Sequence, residues 1–546
     1  MTETNSGPAS PVPGALFHAK ITDLEQRIAG VMRMGGEAAV QKQHDAKKLT
    51  CRERVDLLFD KVLIPASTAS KEVGGHSTFQ EIMIHAHHTS ESPMMAGRST
   101  PADGVICGTG LVDGRPVAVI AYDFTVMAGT IGHNTEMKCQ RIREIALDRR
   151  MPMVWLLDSA GARVQEATTA MFAGSGQMFF DQVMMSGVIP QVAAMMGPCA
   201  AGTAYVPGLA DFVPMVKGTS SMALAGPPLV KAATGADVTA EELGGSRLHC
   251  RESGVGDLEV KDDAEMIDTI KTYLSFFPSC FDDPLPRYPT TDSPHRRLDD
   301  VATLIPDNTR APMDMHGLID RLRDQDGPML EIKPKWGQAI LCTLIRLDGR
   351  PVGVVASNSK YLGGVLTNDP ADKAAKFIET CDAFGIPLLF LQDVPGFMVG
   401  VKTEKEGIIR HGAKMLFAVS RATVPKLTVV VRKGYGAGYY VMCGKGYRPD
   451  LIVAWPNAEI SVMGPEGAVN IAFRKQIEAS ENPDEVRAGL VEAFREQITP
   501  YIPAAKAYID DVIDPRATRA ILCDALATAV RKKNLLPARK HAIMPV

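Results

Sequence analysis

Three kinds of glycine-rich turn carry the residues of this sequence that could do chemistry. The first spans residues 197–205 (G-P-C-A-A-G-T-A-Y), the second spans residues 432–440 (R-K-G-Y-G-A-G-Y-Y), and the third occurs twice, at residues 158–161 and 393–396. Each is predicted to follow a strand and begin a helix, where backbone N–H groups face a ligand beside a partial positive charge. Two such groups aimed at one oxygen form an oxyanion hole, which is worth on the order of 10² or more in rate.

The same glycines could simply permit tight packing of a strand against a helix. The recurrence of the turn in both parts of the chain favours the oxyanion hole over this alternative. Other catalytic motifs are missing: there is no phosphate-binding G-x-x-x-x-G-K-[ST], and G-Y-G-A-G-Y lacks the third glycine of a dinucleotide fingerprint. Gly174-Ser175-Gly176 lacks the first glycine of the hydrolase pentapeptide.

Ten cysteines are scattered along the chain without any C-x-x-C pair, which argues against a zinc ribbon and for reduced thiols. Cys199 and Cys443 each lie beside a glycine-rich turn and could be nucleophiles. Neither has a histidine nearby in the sequence, so this interpretation is disfavoured. We therefore expect no metal site and no cysteine nucleophile.

The elements that position these turns are predicted to occur in two copies. V-D-G-R-P-V-A-V-I-A at residues 112–121 returns as L-D-G-R-P-V-G-V-V-A at residues 347–356, which places Asp348 at an offset of 235 from Asp113 (348 − 113). The same offset relates Gly161 to Gly396 (396 − 161). A repeat of this length is too long for a solenoid unit and indicates a duplicated domain.

The hydrophobic pattern predicts strands alternating with helices, and hence an α/β fold. Thr50 with Glu53 forms a capping-box pattern within a mostly helical segment at residues 20–59, and residues 61–104 are predicted to be irregular. The predicted strands are residues 104–112, 116–122, 153–158, 337–347, 351–356 and 387–392. The predicted helices are residues 136–149, 314–325, 369–384 and a helical tail at 483–533.

A segment rich in Pro, Ser and Thr at residues 284–295 predicts a linker between the two copies. The expected organisation is a disordered leader over residues 1–19, an N-terminal domain over residues 20–290 and a C-terminal domain over residues 291–546. The 546 residues carry a formal net charge of −4, with 22% charged residues, and no apolar run reaches the roughly 18 residues of a membrane span. We expect a cytoplasmic enzyme that binds neither nucleic acid nor membrane.

Several of these stretches resemble the carboxyltransferase (β) subunit of biotin-dependent acyl-CoA carboxylases, in the propionyl-CoA and methylcrotonyl-CoA carboxylase branch. The resemblance runs from about residue 20 to the end of the chain. It is carried by K-K-L-T-C-R-E-R, G-P-P-L-V-K-A-A-T-G, E-E-L-G-G-S-R-L-H, D-V-P-G-F-M-V-G, I-I-R-H-G-A-K-M, A-T-V-P-K, G-Y-G-A-G-Y, A-W-P-N-A-E-I-S-V-M-G and R-K-H-A-I-M-P-V.

This resemblance implies two tandem crotonase-like domains of the ClpP/crotonase superfamily, which arose by internal duplication. It implies transfer of a carboxyl group from carboxybiotin to an acyl-CoA, with the ureido nitrogen taking the proton. The motifs place the acyl-CoA oxyanion hole on the N–H groups of Ala201 and Gly202, and the biotin hole on Ala437 and Gly438. Ala201 replaces a glycine of propionyl-type members, but its backbone donor survives.

The resemblance also makes Tyr440 the candidate for acyl-chain selection, with an ordinary aromatic wall as the alternative. Gly161 and Gly396 are further candidate substrate-binding residues. We expect Asp158 and Asp393 to tie down their turns and His411 to be structural; none of these three is expected to act as an acid or base. Substrate evidence is split between the propionyl and methylcrotonyl types.

The resemblance further implies a homo-hexameric core built as a dimer of trimers, and a partner subunit that provides biotin carboxylase and the biotin carrier. This chain has no A-M-K-M biotinylation motif. The alternatives are the carboxyltransferase subunit of a biotin-dependent acyl-CoA decarboxylase, a non-catalytic assembly subunit, and a crotonase-like hydratase or isomerase. The last would need a glutamate in an active-site turn, and the glycine-rich turns contain none.

Overall fold

Two eight-stranded sheets, one in each half, form the centre of the chain as a computed structural model describes it over residues 14–62, 76–167, 173, 175–529, 532 and 536–546. The strands of the N-terminal half are β1 (Lys61–Val62), β2 (His76–Ser77), β3 (Gln80–Glu81), β4 (Val105–Val112), β5 (Arg115–Tyr122), β6 (Met153–Ser159), β7 (Gln191–Ala200), β8 (Pro214–Val216), β9 (Ser221–Ala223) and β10 (Leu258–Val260). Those of the C-terminal half are β11 (Leu330–Ile332), β12 (Ile340–Leu347), β13 (Arg350–Ser357), β14 (Leu388–Val394), β15 (Lys426–Tyr435), β16 (Leu451–Ala454), β17 (Glu459–Ser461) and β18 (Asp511–Val512).

The two large sheets share one topology. The strand order is β10-β8-β7-β6-β5-β4-β3 in the N-terminal sheet and β11-β12-β13-β14-β15-β16-β18 in the C-terminal sheet, with β9 on β7 and β17 on β15. An antiparallel edge (β3, β4 and β5, or β11, β12 and β13) leads into parallel strands joined by crossover helices. Strands β1 and β2 form a separate antiparallel pair. The predicted α/β duplication is confirmed.

Helices cover the sheets and connect their parallel strands. In the N-terminal half they are α1 (Ala15–Met32), α2 (Glu37–Asp45), α3 (Cys51–Leu58), α4 (His133–Asp148), α5 (Val164–Ala167), α6 (Gln177–Met185), α7 (Tyr205–Leu209), α8 (Pro227–Thr234), α9 (Ala240–Gly244), α10 (Ser246–Arg251) and α11 (Asp263–Leu274). In the C-terminal half they are α12 (Met315–Leu322), α13 (Asn368–Ala383), α14 (Val401–Lys405), α15 (Ile408–Arg421), α16 (Gly436–Val441), α17 (Pro465–Ala472), α18 (Arg474–Glu478), α19 (Pro483–Glu496), α20 (Tyr501–Ala505) and α21 (Thr518–Ala529). Short 3₁₀ helices lie at Pro93–Met95, Pro101–Gly104, Met127–Gly129, Ala201–Ala204, Val301–Leu304, Leu362–Gly364, Lys445–Tyr447 and Pro515–Ala517.

The duplication holds residue by residue through the centre of each half. The first residues of β4, β6 and β7 have their counterparts 235 positions later, at the first residues of β12, β14 and β15 (340 − 105, 388 − 153 and 426 − 191). After the glycine-rich turns the offset rises to 238. It relates β9 to β17 (459 − 221) and α8 to α17 (465 − 227). Before β4 it is 264, because α3 corresponds to α12 (315 − 51).

Most predicted elements are confirmed within a few residues. Residues 61–104, predicted to be irregular, contain the two-residue strands β1, β2 and β3, and β3 joins the N-terminal sheet. Two further expectations are wrong. The tail predicted to be helical over residues 483–533 contains β18, which pairs with β16 at the edge of the C-terminal sheet. Helix α1 begins at Ala15, so the leader predicted over residues 1–19 does not extend through that helix; residues 1–13 lie outside the described residues. The predicted linker forms no helix or strand.

The two halves pack against each other through a shared apolar core. Tyr273 stacks on Phe212 and Phe277 at centroid distances of 4.3 and 4.4 Å, and Phe277 meets Phe384 of the C-terminal half edge-on at 5.5 Å. Next to this cluster, the buried Lys333 Nζ lies 2.6 Å from the Asp257 carboxylate of the N-terminal half. The halves are therefore one packed body, although each has its own sheet.

Candidate active site

The glycine-rich turn of the N-terminal half begins where β7 ends. A 3₁₀ helix over Ala201–Ala204 follows Ala200 directly and continues into α7. The first N–H groups of a helix have no acceptor within that helix, so they are available to a ligand. Ala201 and Gly202 are both exposed, so a bound substrate can reach them. The two residues are thus exposed at the start of a helix, and their role as an oxyanion hole stays a prediction.

The turn of the C-terminal half begins where β15 ends, at Tyr435, and leads straight into α16. Ala437 is exposed and Gly438 is buried, and both lie in the first turn of the helix. A Cβ atom on Gly438 would lie 2.7 Å from Cγ2 of Val394 and 3.2 Å from Cα of Gly396. Glycine is therefore required here by a close approach to the turn after β14.

The two predicted donor pairs are not at equivalent positions of the duplicated fold. The offset of 235 places Ala201 on Gly436 (436 − 201), and Gly202 on Ala437 (437 − 202). Ala201 and Gly436 share a left-handed backbone, with φ of 57° and 53°. Gly202 and Ala437 are consequently the one predicted donor position that both halves have in common.

The strand-end turns after β6 and β14 lie beside these helices. A Cβ atom on Gly161, whose φ is +92°, would lie 2.8 Å from the carbonyl oxygen of Ala200 and 3.5 Å from Cβ of Ala201. In the other half, a Cβ atom on Gly438 would lie 3.2 Å from Cα of Gly396, whereas a Cβ atom on Gly396 itself would meet nothing within 4 Å. The structure therefore brings the predicted residues together as two groups, one in each half. Among the described residues, no hydrogen bond or ion pair joins the two groups.

The strand-end carboxylates are buried and paired with cations. Asp158 receives hydrogen bonds of 2.8 Å from Lys48 Nζ and from Arg54 Nη1, and Asp393 receives one of 2.8 Å from Arg432 Nη2. Both aspartates have 0% of their surface exposed. These contacts fit the predicted structural role of both aspartates. The sequence prediction did not identify the three cations, because two come from a distant helical segment.

Two exposed tyrosines flank the turns. Tyr440 on α16 is 53% exposed, and its ring contacts Tyr439 and Tyr447 at centroid distances of 6.1 and 6.5 Å. Its counterpart at the offset of 235 is Tyr205 (440 − 205), also 53% exposed and edge-on to Phe179 at 5.8 Å. The sequence prediction missed Tyr205, although the repeat offset points to it. Each half therefore presents an aromatic ring three residues after the shared donor position.

The other candidate side chains do not meet the requirements of catalysis. Burial raises the pKa of the Cys199 thiol to about 12 and that of Cys443 to about 11, so neither is a thiolate at neutral pH. His411 Nδ1 lies 2.8 Å from an oxygen of the Asp372 carboxylate on α13. This hydrogen bond joins α15 to α13, as expected of a structural histidine. In the described part of the chain, no three His, Cys, Asp or Glu residues are grouped to hold a metal ion. None of the described helices combines the length and apolarity needed to cross a membrane.

A match to a protein-family model identifies the family of the chain that carries these two turns. The model of the carboxyl transferase domain matches residues 42–544, which is most of the chain and includes both halves. The chain belongs to the carboxyl transferase family. The predicted family, and with it the prediction that the chain is a carboxyltransferase, are confirmed.

Relatives of this carboxyltransferase cover it almost completely. It is 40% identical to the methylmalonyl-CoA decarboxylase subunit alpha of Propionigenium modestum, over 96% of this chain and 99% of the relative. It is 39% identical to the propionyl-CoA carboxylase carboxyltransferase subunit of Haloferax mediterranei, with the same coverage. A crystal structure of transcarboxylase 12S, solved as a hexamer with methylmalonyl-coenzyme A and methylmalonic acid bound, superposes with a TM-score of 0.90 at 38% identity, over 100% of both chains.

Proposed function

We propose that this carboxyltransferase moves a carboxyl group from carboxybiotin, carried on a partner subunit, to an acyl-CoA of the propionyl-CoA or 3-methylcrotonyl-CoA type. The observation that carries the proposal is the pair of equivalent turns, one in each half, at the carboxyl ends of β7 and β15. The reaction develops negative charge on two different oxygens, and each needs its own donors. A duplicated fold with one set of donors per copy meets this need.

The N-terminal turn serves the acyl-CoA. Removing a proton from the carbon next to the thioester, or from the γ-carbon of an unsaturated acyl group, places negative charge on the thioester oxygen. Ala201 and Gly202 are exposed and begin a helix, so their N–H groups and the helix terminus both stabilise that charge. Lys48 and Arg54 pair with the buried Asp158 and hold the neighbouring strand end in place, so this carboxylate is not a free base.

The C-terminal turn serves the biotin carrier. Carboxybiotin supplies the carboxyl group, and its ureido group takes up first the negative charge and then the proton from the acyl-CoA. Ala437 and Gly438 fit this role because both lie in the first turn of α16, and the glycine lets that turn lie against Gly396. The buried Asp393 accepts a hydrogen bond from Arg432, so this carboxylate adds no unpaired negative charge beside the turn.

A complete active site requires two copies of the chain. The donor groups lie on separate sheets, and exposed apolar side chains surround both turns: Phe180 and Tyr205 in one half, and Ile409, Tyr440 and Val462 in the other. We infer that the N-terminal half of one chain faces the C-terminal half of another in a hexamer built as a dimer of trimers. The transcarboxylase 12S structure, which is a hexamer, supports this arrangement.

A decarboxylase subunit is the second candidate, and one observation favours it. The decarboxylase subunit of Propionigenium modestum has the same level of identity as the carboxylase subunit of Haloferax mediterranei. The same two sets of donors would serve transfer of the carboxyl group in either direction. The distinction lies in which partner supplies or removes the carboxyl group.

The test is transfer of a ¹⁴C-labelled carboxyl group from a carboxylated biotin-carrier subunit to acetyl-, propionyl-, butyryl-, 3-methylcrotonyl- and geranyl-CoA. We expect label in propionyl- or 3-methylcrotonyl-CoA. A second assay supplies labelled methylmalonyl-CoA with the uncarboxylated carrier and follows the reverse transfer. Activity only in the second assay would favour the decarboxylase, and activity in neither, with the oligomer intact, would overturn the proposal.

Two variants at one residue serve as matched controls for the donor assignment. Gly438→Pro removes the N–H group, whereas Gly438→Ala keeps it and adds the Cβ that approaches Val394. We expect transfer to fall about 10²-fold or more in Gly438→Pro and clearly less in Gly438→Ala. Equal losses would assign the effect to packing and remove Gly438 from the donors.

A further inference from the structure

One buried guanidinium clamps the ends of two neighbouring strands in the N-terminal half. Arg54 of α3 donates 2.8 Å hydrogen bonds to Asp158 at the end of β6 and to Asp263 of α11, and a 3.4 Å bond to the Met196 carbonyl of β7. Lys48 adds a second cation on Asp158. The turns that follow β6 and β7 carry Gly161 and Ala201, so this clamp lies directly behind the proposed acyl-CoA donors.

A guanidinium also clamps the corresponding strands of the C-terminal half, but it comes from the opposite element. Arg432 of β15 donates 2.8 Å to Asp393 at the end of β14 and 2.9 Å to the Ala311 carbonyl, just before α12. The position of Arg54 on α12 is held by Leu318 (318 − 54 = 264), which is fully buried in an apolar cluster. The helix that provides the cation in one half therefore provides a leucine in the other.

The strand shows the reverse exchange. The position of Arg432 on β7 is held by Gly197 (432 − 197 = 235). A Cβ atom on Gly197 would lie 1.9 Å from Asp158 Oδ1 and 2.8 Å from Lys48 Nζ, so the carboxylate and its cation fill the place of a side chain there. The N-terminal half thus has arginine on the helix (Arg54) and glycine on the strand (Gly197). The C-terminal half has leucine on the helix (Leu318) and arginine on the strand (Arg432). Such a coupled exchange indicates that each half needs one guanidinium at this place and has no room for two.

We propose that Arg54 and Arg432 are positioning residues for the two halves of the reaction. Arg54 holds the turn that faces the acyl-CoA, and Arg432 holds the turn that faces the biotin carrier; this division rests on the proposed function. Each acts through the strand-end aspartate and touches no substrate. An unpaired buried carboxylate would move toward solvent or become protonated, and displacing a catalytic group by about 1 Å can cost 10²-fold in rate.

The exchange also makes the N-terminal half depend on residues outside the duplicated sheet. Lys48 and Arg54 together face Asp158 and Asp263, two cations for two carboxylates, whereas Arg432 alone faces Asp393. The segment from Lys48 through α3 thus belongs to the acyl-CoA side of the site. The C-terminal half carries its cation on its own central strand.

Two partial reactions separate the sides experimentally. The acyl-CoA side is followed by deuterium wash-in to propionyl-CoA or 3-methylcrotonyl-CoA from D₂O in the presence of free biotin. The biotin side is followed by ¹⁴CO₂ release from the ¹⁴C-carboxylated carrier without acyl-CoA. Both use the full chain in its native oligomer. If the wild-type chain shows neither reaction and no overall transfer, the proposed function fails, and that result is independent of the variants.

The variants exchange residues that the two halves already contain. We expect R54L to lower deuterium wash-in about 10- to 100-fold, with KM for acyl-CoA changed less than about threefold, and ¹⁴CO₂ release to stay within about twofold of wild type. We expect R432G to lower ¹⁴CO₂ release and to leave deuterium wash-in nearly unchanged. The conservative variants R54K and R432K keep a cation and should lose about tenfold less than R54L and R432G.

The conservative variants distinguish positioning from general damage, because a lysine keeps a cation beside the strand-end aspartate. If R54L does not fold, R54K alone carries the test through its selectivity between the two partial reactions. Equal loss of both reactions in folded R54L and R54K oligomers would overturn the proposal.

Discussion

Ala201 and Gly436 occupy the same place in the two halves and share a left-handed backbone, with φ of 57° and 53°. For a residue with a Cβ atom this conformation costs roughly 1–2 kcal/mol, whereas glycine adopts it freely. The N-terminal turn therefore holds a strained alanine where the C-terminal turn has the residue that suits the conformation. The strained residue is thus itself one of the two proposed acyl-CoA donors.

We predict that the two reciprocal substitutions have opposite effects. A201G relieves the left-handed strain and should stabilise the protein by up to about 1 kcal/mol, with transfer activity retained. G436A should destabilise it by about 2 kcal/mol, since its new Cβ would also lie 2.9 Å from the Val462 carbonyl oxygen. Urea unfolding at fixed protein concentration measures both. Stabilisation by G436A would show that the turn has a different backbone in solution.

Tyr440 is predicted to limit the length of the acyl chain. Replacing it with alanine removes an exposed ring next to the C-terminal donors and should raise kcat/KM for butyryl-CoA relative to propionyl-CoA by about tenfold, which corresponds to about 1.4 kcal/mol. Y205A, at the equivalent position of the other half, is the matched control. A change of preference in Y205A alone would assign chain selection to the N-terminal half.

Two buried lysines at equivalent positions are predicted to stabilise the fold unequally. Lys373 donates to three carbonyl oxygens, those of Lys333, Trp336 and Ile340, and Lys138 donates to two. Replacing either with methionine leaves these carbonyls without a donor, which costs about 2–4 kcal/mol. The urea midpoint should fall further in K373M than in K138M. The opposite order would mean that water replaces the lysine more readily beside α13.

The carboxyl group of Asp211 is predicted to make stability fall with rising pH. Asp211 lies at a groove of about 480 Å³ between the halves, where burial raises its pKa to about 6. Because the folded state binds this proton more tightly than the unfolded state, stability is lost as the pH rises from about 4 to 6. D211N should remove that loss.

We expect the difference in unfolding free energy between D211N and wild type to be near zero at pH 4 and about 1 kcal/mol in favour of D211N at pH 7. The value is smaller than the pKa alone would suggest because part of the side chain still meets solvent at the groove. Asparagine can still accept the 2.8 Å hydrogen bond from the Gln191 N–H group. A difference that is constant from pH 4 to 7 would show that Asp211 does not titrate in this range.

Local signals in the sequence were sufficient to predict most of the elements around the site. Thr50 and Glu53 form the predicted capping box, and the repeated D-G-R-P-V segment marks the turn into β5 and β13. The interaction of Arg54 with Asp158 could not be predicted, because the two residues are 104 positions apart and either could have been solvated. The β18 strand was missed for a similar reason, since two residues inside a helical tail join the sheet only through tertiary pairing.

The donor pairs show where motif comparison and internal symmetry differ. The motifs indicated Ala201 with Gly202 and Ala437 with Gly438, but symmetry equates Gly202 with Ala437. The repeat offset of 235 already equates these positions in the sequence, but the motifs were assigned in each half separately. The left-handed φ shared by Ala201 and Gly436 agrees with the correspondence that the offset gives.

The offset of 235 remains constant from the first residue of β4 to the first residue of α7, so neither copy has gained or lost a net residue in that stretch. The residues of the matching strands and of helices α4 and α13 therefore have counterparts within the same chain, in sites of the same topology but with different neighbours. Comparing the halves shows exchanges that this fold tolerates, such as Cys139 on α4 for Ala374 on α13, or Trp155 on β6 for Phe390 on β14. In protein engineering, a residue of one half can therefore be replaced by its counterpart from the other half, where that side chain already occurs in the same fold.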